Sequence, residues 1–318
     1  MSSRTVASLH ITNGDSVVYT FKKAGILGTH LPWRDVLHEG PVPGELALED
    51  CSRVRGAYLA SRGYGKPIRV LHDFQARDAV IRRATEFDEV VLWFEHDLYD
   101  QLQMLQILHV LHGMELEPGR VSIVQSDSYL GSMTAEEIVT LHPKRRTVTR
   151  AMFERASLVW KHFCSSEPAS LLADASTEHA GFPHLRTALH RLCEEYPWVS
   201  DGLSRSQRQA LQSVAQGPAR NDELFRRAQA REEAPFLGDT AFYAIVDDLR
   251  ASPAPLIEGN EGMTMPTALG RRVLGGDADW MEEAPADRWI GGVHLSGSRT
   301  ARWDDAQGTF RLTEEAVD

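Results

Sequence analysis

The sequence has few cysteines, no long apolar run and no excess of positive charge, and each shortage excludes a class of protein. Only Cys51, Cys164 and Cys193 occur among 318 residues. They are far apart and follow no metal-ligand spacing, so neither a disulfide framework nor a zinc–cysteine site is expected. An odd number of scattered thiols fits small core hydrophobes in a reducing compartment. No stretch approaches about eighteen consecutive apolar residues. The opening Met1-Ser-Ser-Arg-Thr-Val lacks the apolar core of a signal peptide. The expectation is a cytoplasmic protein with no membrane partner.

Lysine and arginine together number 34 against 45 acids, a net charge of −11. From residue 201 onward, 13 arginines and no lysine face 20 acids. Proteins that hold DNA neutralise phosphates with a basic face, so DNA is not the expected partner. A glycine-rich dinucleotide fingerprint, a P-loop and internal repeats are also missing.

What is present describes a folded chain: 42% hydrophobic and 25% charged residues, with length enough for two cores. Residues 5–12 alternate apolar and polar and meet the turn Asn13-Gly14-Asp15-Ser16, a strand and its loop. Residues 17–23 predict a helix and 30–33 a second strand. Further helices are predicted over 46–63 and 73–86, the latter with Arg77, Arg82 and Arg83 on its wet face. The apolar run 89–94 reads as a buried strand. A helix follows over 98–112 and a strand over 120–125. Strand–helix alternation of this kind implies α/β architecture, a mostly parallel sheet covered by helices, across residues 1–145.

Helices predicted over 147–163 and 182–195 form a helical linker, residues 146–200. In residues 201–318, helices over 204–215, 221–232 and 239–250 precede a hairpin over 255–265 and a last helix over 267–274. That is the order of a C-terminal winged-helix-like α+β domain, here with a C-terminal extension. Its third helix carries Asp239, Asp247 and Asp248, which would repel phosphate. In the extension, Trp289 and Trp303 read either as the core of a capping hairpin or as part of a segment that folds back over a pocket with Arg288 or His294.

In a parallel sheet, ligands bind beyond the carboxyl ends of the strands. Three predicted strand ends carry polar clusters: His10, Asn13, Asp15 and Ser16; then Arg34, Asp35, His38 and Glu39; then His96, Asp97, Asp100 and Gln101. Candidate catalytic groups are His10, Asp15, Asp35, His38, His96 and Asp97. Candidate substrate-binding groups are Asn13, Ser16, Arg34, Glu39, Asp100 and Gln101. Several chemistries fit. The histidines and carboxylates suit a divalent metal, the candidate cofactor. Gly14-Asp15-Ser16 with Asp35-Val-Leu-His38 suits a serine–histidine–aspartate set, although in Gly-Asp-Ser hydrolases that pair lies far later in the chain. Arg34 and the Asn13–Ser16 amides suit an anion, with Lys144, Arg145, Arg146 and Arg150 adding charge. The expected ligand is a polar small molecule, phosphorylated or nucleotide-like, acted on by hydrolysis or group transfer. The alternative is a regulator that uses the tail to bind DNA or protein.

The same loops carry a likeness. Leu9-His-Ile-Thr-Asn-Gly-Asp-Ser16, Trp33-Arg-Asp-Val-Leu-His-Glu-Gly-Pro41 and Val91-Leu-Trp-Phe-Glu-His-Asp-Leu-Tyr-Asp-Gln-Leu102 resemble the bacterial domain-of-unknown-function 1835 family. Leu203-Ser-Arg-Ser-Gln-Arg208, Pro235-Phe-Leu-Gly-Asp239 and Asp287-Arg-Trp-Ile-Gly-Gly-Val-His-Leu295 resemble its companion, domain-of-unknown-function 3658. The resemblance implies bacterial origin and a two-part architecture, and implies no activity.

Overall fold

The run Glu89–Glu95 is apolar between charged ends, and it lies in the middle of a sheet covered on both faces. The computed structural model describes residues 7–44, 46–259, 263–297 and 300–312. In chain order its strands are β1 (Ser8–Thr12), β2 (Thr29–Pro32), β3 (Gly40–Pro41), β4 (Glu89–Glu95), β5 (Val121–Ser126) and β6 (Arg146–Thr147), then β7 (Ile257–Glu258), β8 (Met265–Pro266), β9 (Ala286–Gly291), β10 (Val293–Gly297), β11 (Ala301–Asp304) and β12 (Thr309–Leu312). The central sheet runs β2-β1-β4-β5-β6, parallel except at β6.

Side chains alternate across β4. Val90, Leu92 and Phe94 enter the main core with residues of helices Leu98–Gly113, Arg150–Phe163 and Leu185–Cys193. Val91 and Trp93 enter a smaller core with Val17, Phe21 and Ile138, from helices Ser16–Lys23 and Ala135–Leu141. The predicted linker helices therefore belong to the α/β body, because Phe153, Trp160 and Leu189 are buried in its core. All three cysteines are buried, and burial pushes the Cys51 and Cys193 thiols up to about 12.

Helices Ala135–Leu141 and Pro168–Ala175 escape the sequence pattern because they are short. The helix expected over 73–86 starts at Pro67, ends at Ile81 and resumes as a 3-10 turn over Ala84–Glu86. Arg82 and Arg83 are exposed as expected, but Arg77 is buried. Its guanidinium stacks over the rings of Trp33 and Phe74 at 4.1 and 4.3 Å and bonds Asp78 and Ser52, which a fully apolar surrounding would not allow.

In the tail, helices Arg205–Ala215, Asn221–Gln229 and Asp239–Ala251, the β7–β8 ladder and helix Ala268–Gly275 follow in the expected order. Residues 260–262 of the expected hairpin, and 5–6 of the first expected strand, lie outside the described residues. Ser204 caps its helix in a reciprocal box with Gln207. These elements enclose their own core from Leu203 to Trp280.

After that core the chain returns to the α/β body. Strand β9 pairs with β10 on one side and, in parallel, with β3 on the other, Gly40 opposite Ile290. Ile290, Leu295 and Trp303 join the main core, so residues 286–297 and 300–312 pack chiefly with the body, while Arg302 reaches back to Asp279 at the start of helix Trp280–Glu283. Gly291 makes this possible. It sits at φ +56°, and a Cβ there would collide with the Phe163 carbonyl at the end of helix Arg150–Phe163. Trp303 is fully buried, whereas Trp289 turns outward and stacks on His294 at 4.4 Å.

Residues 35–41 are wrapped around one guanidinium. Arg55, itself fully buried, donates to Asp35 Oδ1 (3.0 Å) and to the carbonyls of Val36 (2.7 Å), Glu39 (2.8 Å) and Pro41 (3.2 Å). Asp35, predicted as a catalytic group, is thereby committed to an ion pair in the core. Arg55→Met leaves that buried carboxylate with only the more distant Arg77, 3.8 Å from Oδ2, and strips three carbonyls of their donor, so urea unfolding should show a loss of about 3–5 kcal/mol. The double variant Asp35→Leu/Arg55→Met should unfold closer to the parent than Arg55→Met does.

Candidate active site at the strand ends

The carboxyl end of β4 brings three acids together. Glu95 closes the strand, Asp97 caps helix Leu98–Gly113 by accepting from the Asp100 amide (3.1 Å), and Asp100 lies in its first turn. One oxygen from each of the three lies within 4.8 Å of the others, and all three residues are buried. Asp100 accepts from the Glu95 amide (2.7 Å) and from Asn13 Nδ2 (2.8 Å); Glu95 accepts from the Leu130 amide (2.7 Å). Gln101 donates to the Glu95 carbonyl (2.6 Å) and leaves its own Oε1 unpartnered.

Burial dominates the electrostatics. It raises Glu95 to about 7 against partial relief from the Leu130 and Gly131 amides. It raises Asp97 to about 7 as well, with the Glu95 charge adding to the effect. Asp100 is held well above the ordinary carboxyl range by burial and then by its two acidic neighbours. Such a group exchanges protons near neutrality, and its oxygens are the donor set that Mg²⁺ or Mn²⁺ takes.

The other predicted residues are dispersed. His10 lies on the opposite face of the sheet among Phe21 and Trp93. Its Nδ1 accepts from Trp93 Nε1 (3.1 Å) and its Nε2 donates to the Leu27 carbonyl (3.1 Å), so both nitrogens are consumed. Burial lowers it to about 4, a neutral core histidine. Asp15 and Arg34 pair with each other at the surface through two bonds of 2.6 and 2.7 Å. Ser16 is exposed at its helix start. His38 has no hydrogen-bond partner at either ring nitrogen, so Asp35, His38 and Ser16 form no relay. His96 packs against Tyr129 and His184, with its Nδ1 unpartnered. The expected histidine–carboxylate metal set is not assembled; among the described residues the one cluster of metal-ligating type is the carboxylate trio. Two residues of the basic run are engaged locally, Arg145 with Glu89 and Arg146 with the Gly181 carbonyl, while Lys144 and Arg150 are exposed.

His38 and Glu39 line a second polar region, a cleft of about 620 Å³ between the α/β body and the tail. Glu39 accepts from Tyr58 (3.2 Å) and Tyr64 (2.7 Å). Arg62 bonds Asp248 of the third tail helix at 2.7 and 3.1 Å. The sequence pointed to neither Arg62 nor Tyr58, because surface arginines and tyrosines on a helix carry no signal until the facing element is known. Glu95 was legible in principle, as an acid that ends an otherwise apolar strand.

Neither the protein-family models nor the curated proteins compared with this chain match it.

The trio sets a testable stability profile. Glu95 and Asp97 titrate in the fold above their ordinary values, so their contribution is complete below about pH 4 and is lost as pH rises through about 7. His10 and His38, both lowered to about 4, act with the opposite slope and are lost as pH falls from about 6.5. Asp97→Asn keeps a capping oxygen and removes one charge. Thermal melts should find it about 1–3 kcal/mol more stable than the parent at pH 8, with the gap closing at pH 5. An equal gap at both pH values would mean that the trio holds no shifted proton.

Proposed function

We propose that this chain is an enzyme, hydrolytic or group-transferring, that acts on a polar small molecule, phosphorylated or nucleotide-like, at the strand-end carboxylates. One observation carries this reading: three buried acids converge at the carboxyl end of the central strand, two of them titrating near 7. Folding alone gains nothing from placing like charges together out of water, whereas proton transfer at neutral pH requires a group poised there. Asp97 and Glu95 are the acid–base pair, and Asn13 with the Glu95 amide orients Asp100. Bare carboxylates repel phosphate, so a phosphorylated substrate would arrive with a divalent cation held by the same oxygens. The motif likeness to domain-of-unknown-function 1835 and its companion is part of this proposal, as is a bacterial, cytoplasmic setting. No helix among the described residues is long and apolar enough to cross a membrane.

A winged-helix regulator that reads DNA is the weaker reading. Ala241, Ile245 and Asp248 of the third tail helix line the cleft against the α/β body, so the face that would enter a groove is turned inward. The discriminating experiment combines Mn²⁺ calorimetry with a panel of phosphorylated small molecules. The expected result is Mn²⁺ binding that Asp97→Asn abolishes, and turnover that falls by about 10²-fold or more in the same variant while melting shows it folded. Turnover unchanged in Asp97→Asn would overturn the proposal.

A further inference from the structure

The interdomain cleft contains two groups that the strand-end site does not use. Arg288 on β9 points its guanidinium to the Glu195 carbonyl and, among the described residues, forms no ion pair. The other arginines around it are paired: Arg62 with Asp248 and Glu39, and Arg191 with Glu195 and Glu232. His38 is 6% exposed, sits edge-on to Phe236 at 4.9 Å and has neither ring nitrogen bonded. Both residues line the same cleft, and Tyr58 lines it with them, bonded to the Glu39 that follows His38 in the chain. A guanidinium that the Glu195 and Asp248 carboxylates reach only at a distance, each already paired with another arginine, and a buried imidazole with no hydrogen-bond partner are each costly as they stand. A volume of about 620 Å³ suits a metabolite-sized molecule.

We propose that this cleft binds a small molecule through an oxyanion group, phosphoryl or carboxylate, gripped by Arg288, with His38 bonding a second polar atom of the ligand. The wall on one side belongs to the α/β body and on the other to the tail, so such a ligand bridges the two. This proposal does not rest on the strand-end reading, since none of the three acids lines the cleft. Arg288 supplies the planar fork that oxyanions take in two parallel bonds. Neutral imidazole supplies one donor and one acceptor, which suits a hydroxyl or an amide beside the anionic group.

The test uses the full chain labelled with ¹⁵N at histidine, titrated with inorganic phosphate and, separately, with malonate. Sodium chloride at matched ionic strength is the control, and His38→Gln assigns the His38 ring signals. The expected result is a saturable shift of those signals with one or both oxyanions, the stronger naming the group. Arg288→Gln should weaken the effect by about tenfold or more. Where the glutamine variant does not fold, Arg288→Lys keeps the charge, loses the fork and should also weaken it. Asp97→Asn should leave the titration unchanged, which separates this site from the strand-end trio. Shifts no larger than those with chloride, or equal affinity in a folded Arg288 variant, would overturn the proposal.

Discussion

One buried guanidinium sets the geometry on which the rest of the molecule depends. Arg55 binds one carboxylate and three carbonyls drawn from residues 35–41, a stretch with little regular structure of its own. Backbone groups that leave a sheet and enter a core must be satisfied somewhere. Here a single side chain satisfies three of them. The same loop carries His38 and Glu39 into the cleft and ends in β3, the two-residue edge to which β9 adds. Loop shape, cleft wall and the anchoring of the β9–β10 hairpin therefore share one cause.

The two polar regions differ in how they are balanced. In the cleft most charges have opposite partners, and at the junction with the tail Arg191 joins Glu195 and Glu232 while Arg205 joins Glu194. Among the described residues the strand-end trio has no cation as a hydrogen-bond partner; it accepts from backbone amides and from Asn13. Burial without a counter-charge is relieved by protonation, and that is the physical origin of affinities near neutrality at Glu95 and Asp97. The tail covers the ground between the two regions. Tyr129, which packs on His96, donates to the Pro235 carbonyl, and the next residue, Phe236, abuts His38.

The architecture was largely legible in the sequence. The apolar run 89–94 located the central strand, and strand–helix alternation gave the parallel sheet. What the pattern could not reveal was partnership across long separations. Asp35 and Arg77 looked like polar surface or site residues because periodicity cannot distinguish a wet arginine from one stacked on Trp33. Of the twelve residues singled out for chemistry, Asn13, Asp97, Asp100 and Gln101 converge around Glu95. His38 and Glu39 lie together in the cleft, and His10 went to the core on the far face, its neutral ring bonding at both nitrogens. Loop residues read one strand end at a time gave no measure of which side of the sheet each would face, although the alternation of β1 placed His10 opposite Leu9 and Ile11.

The pairing of Gly40 with Ile290 has a consequence for the order in which the molecule is made. Every residue between Gly40 and Ile290 must be synthesised before β3 acquires its neighbour, while β1, β2, β4 and β5 can assemble once the chain has emerged as far as Ser126. Contacts that span so much chain close late and slowly, because the loop entropy is lost before the contact forms. The nascent body therefore waits with an open strand edge at residues 40–41 and an unfinished cleft. Completion of the cleft becomes a report that translation has passed β9.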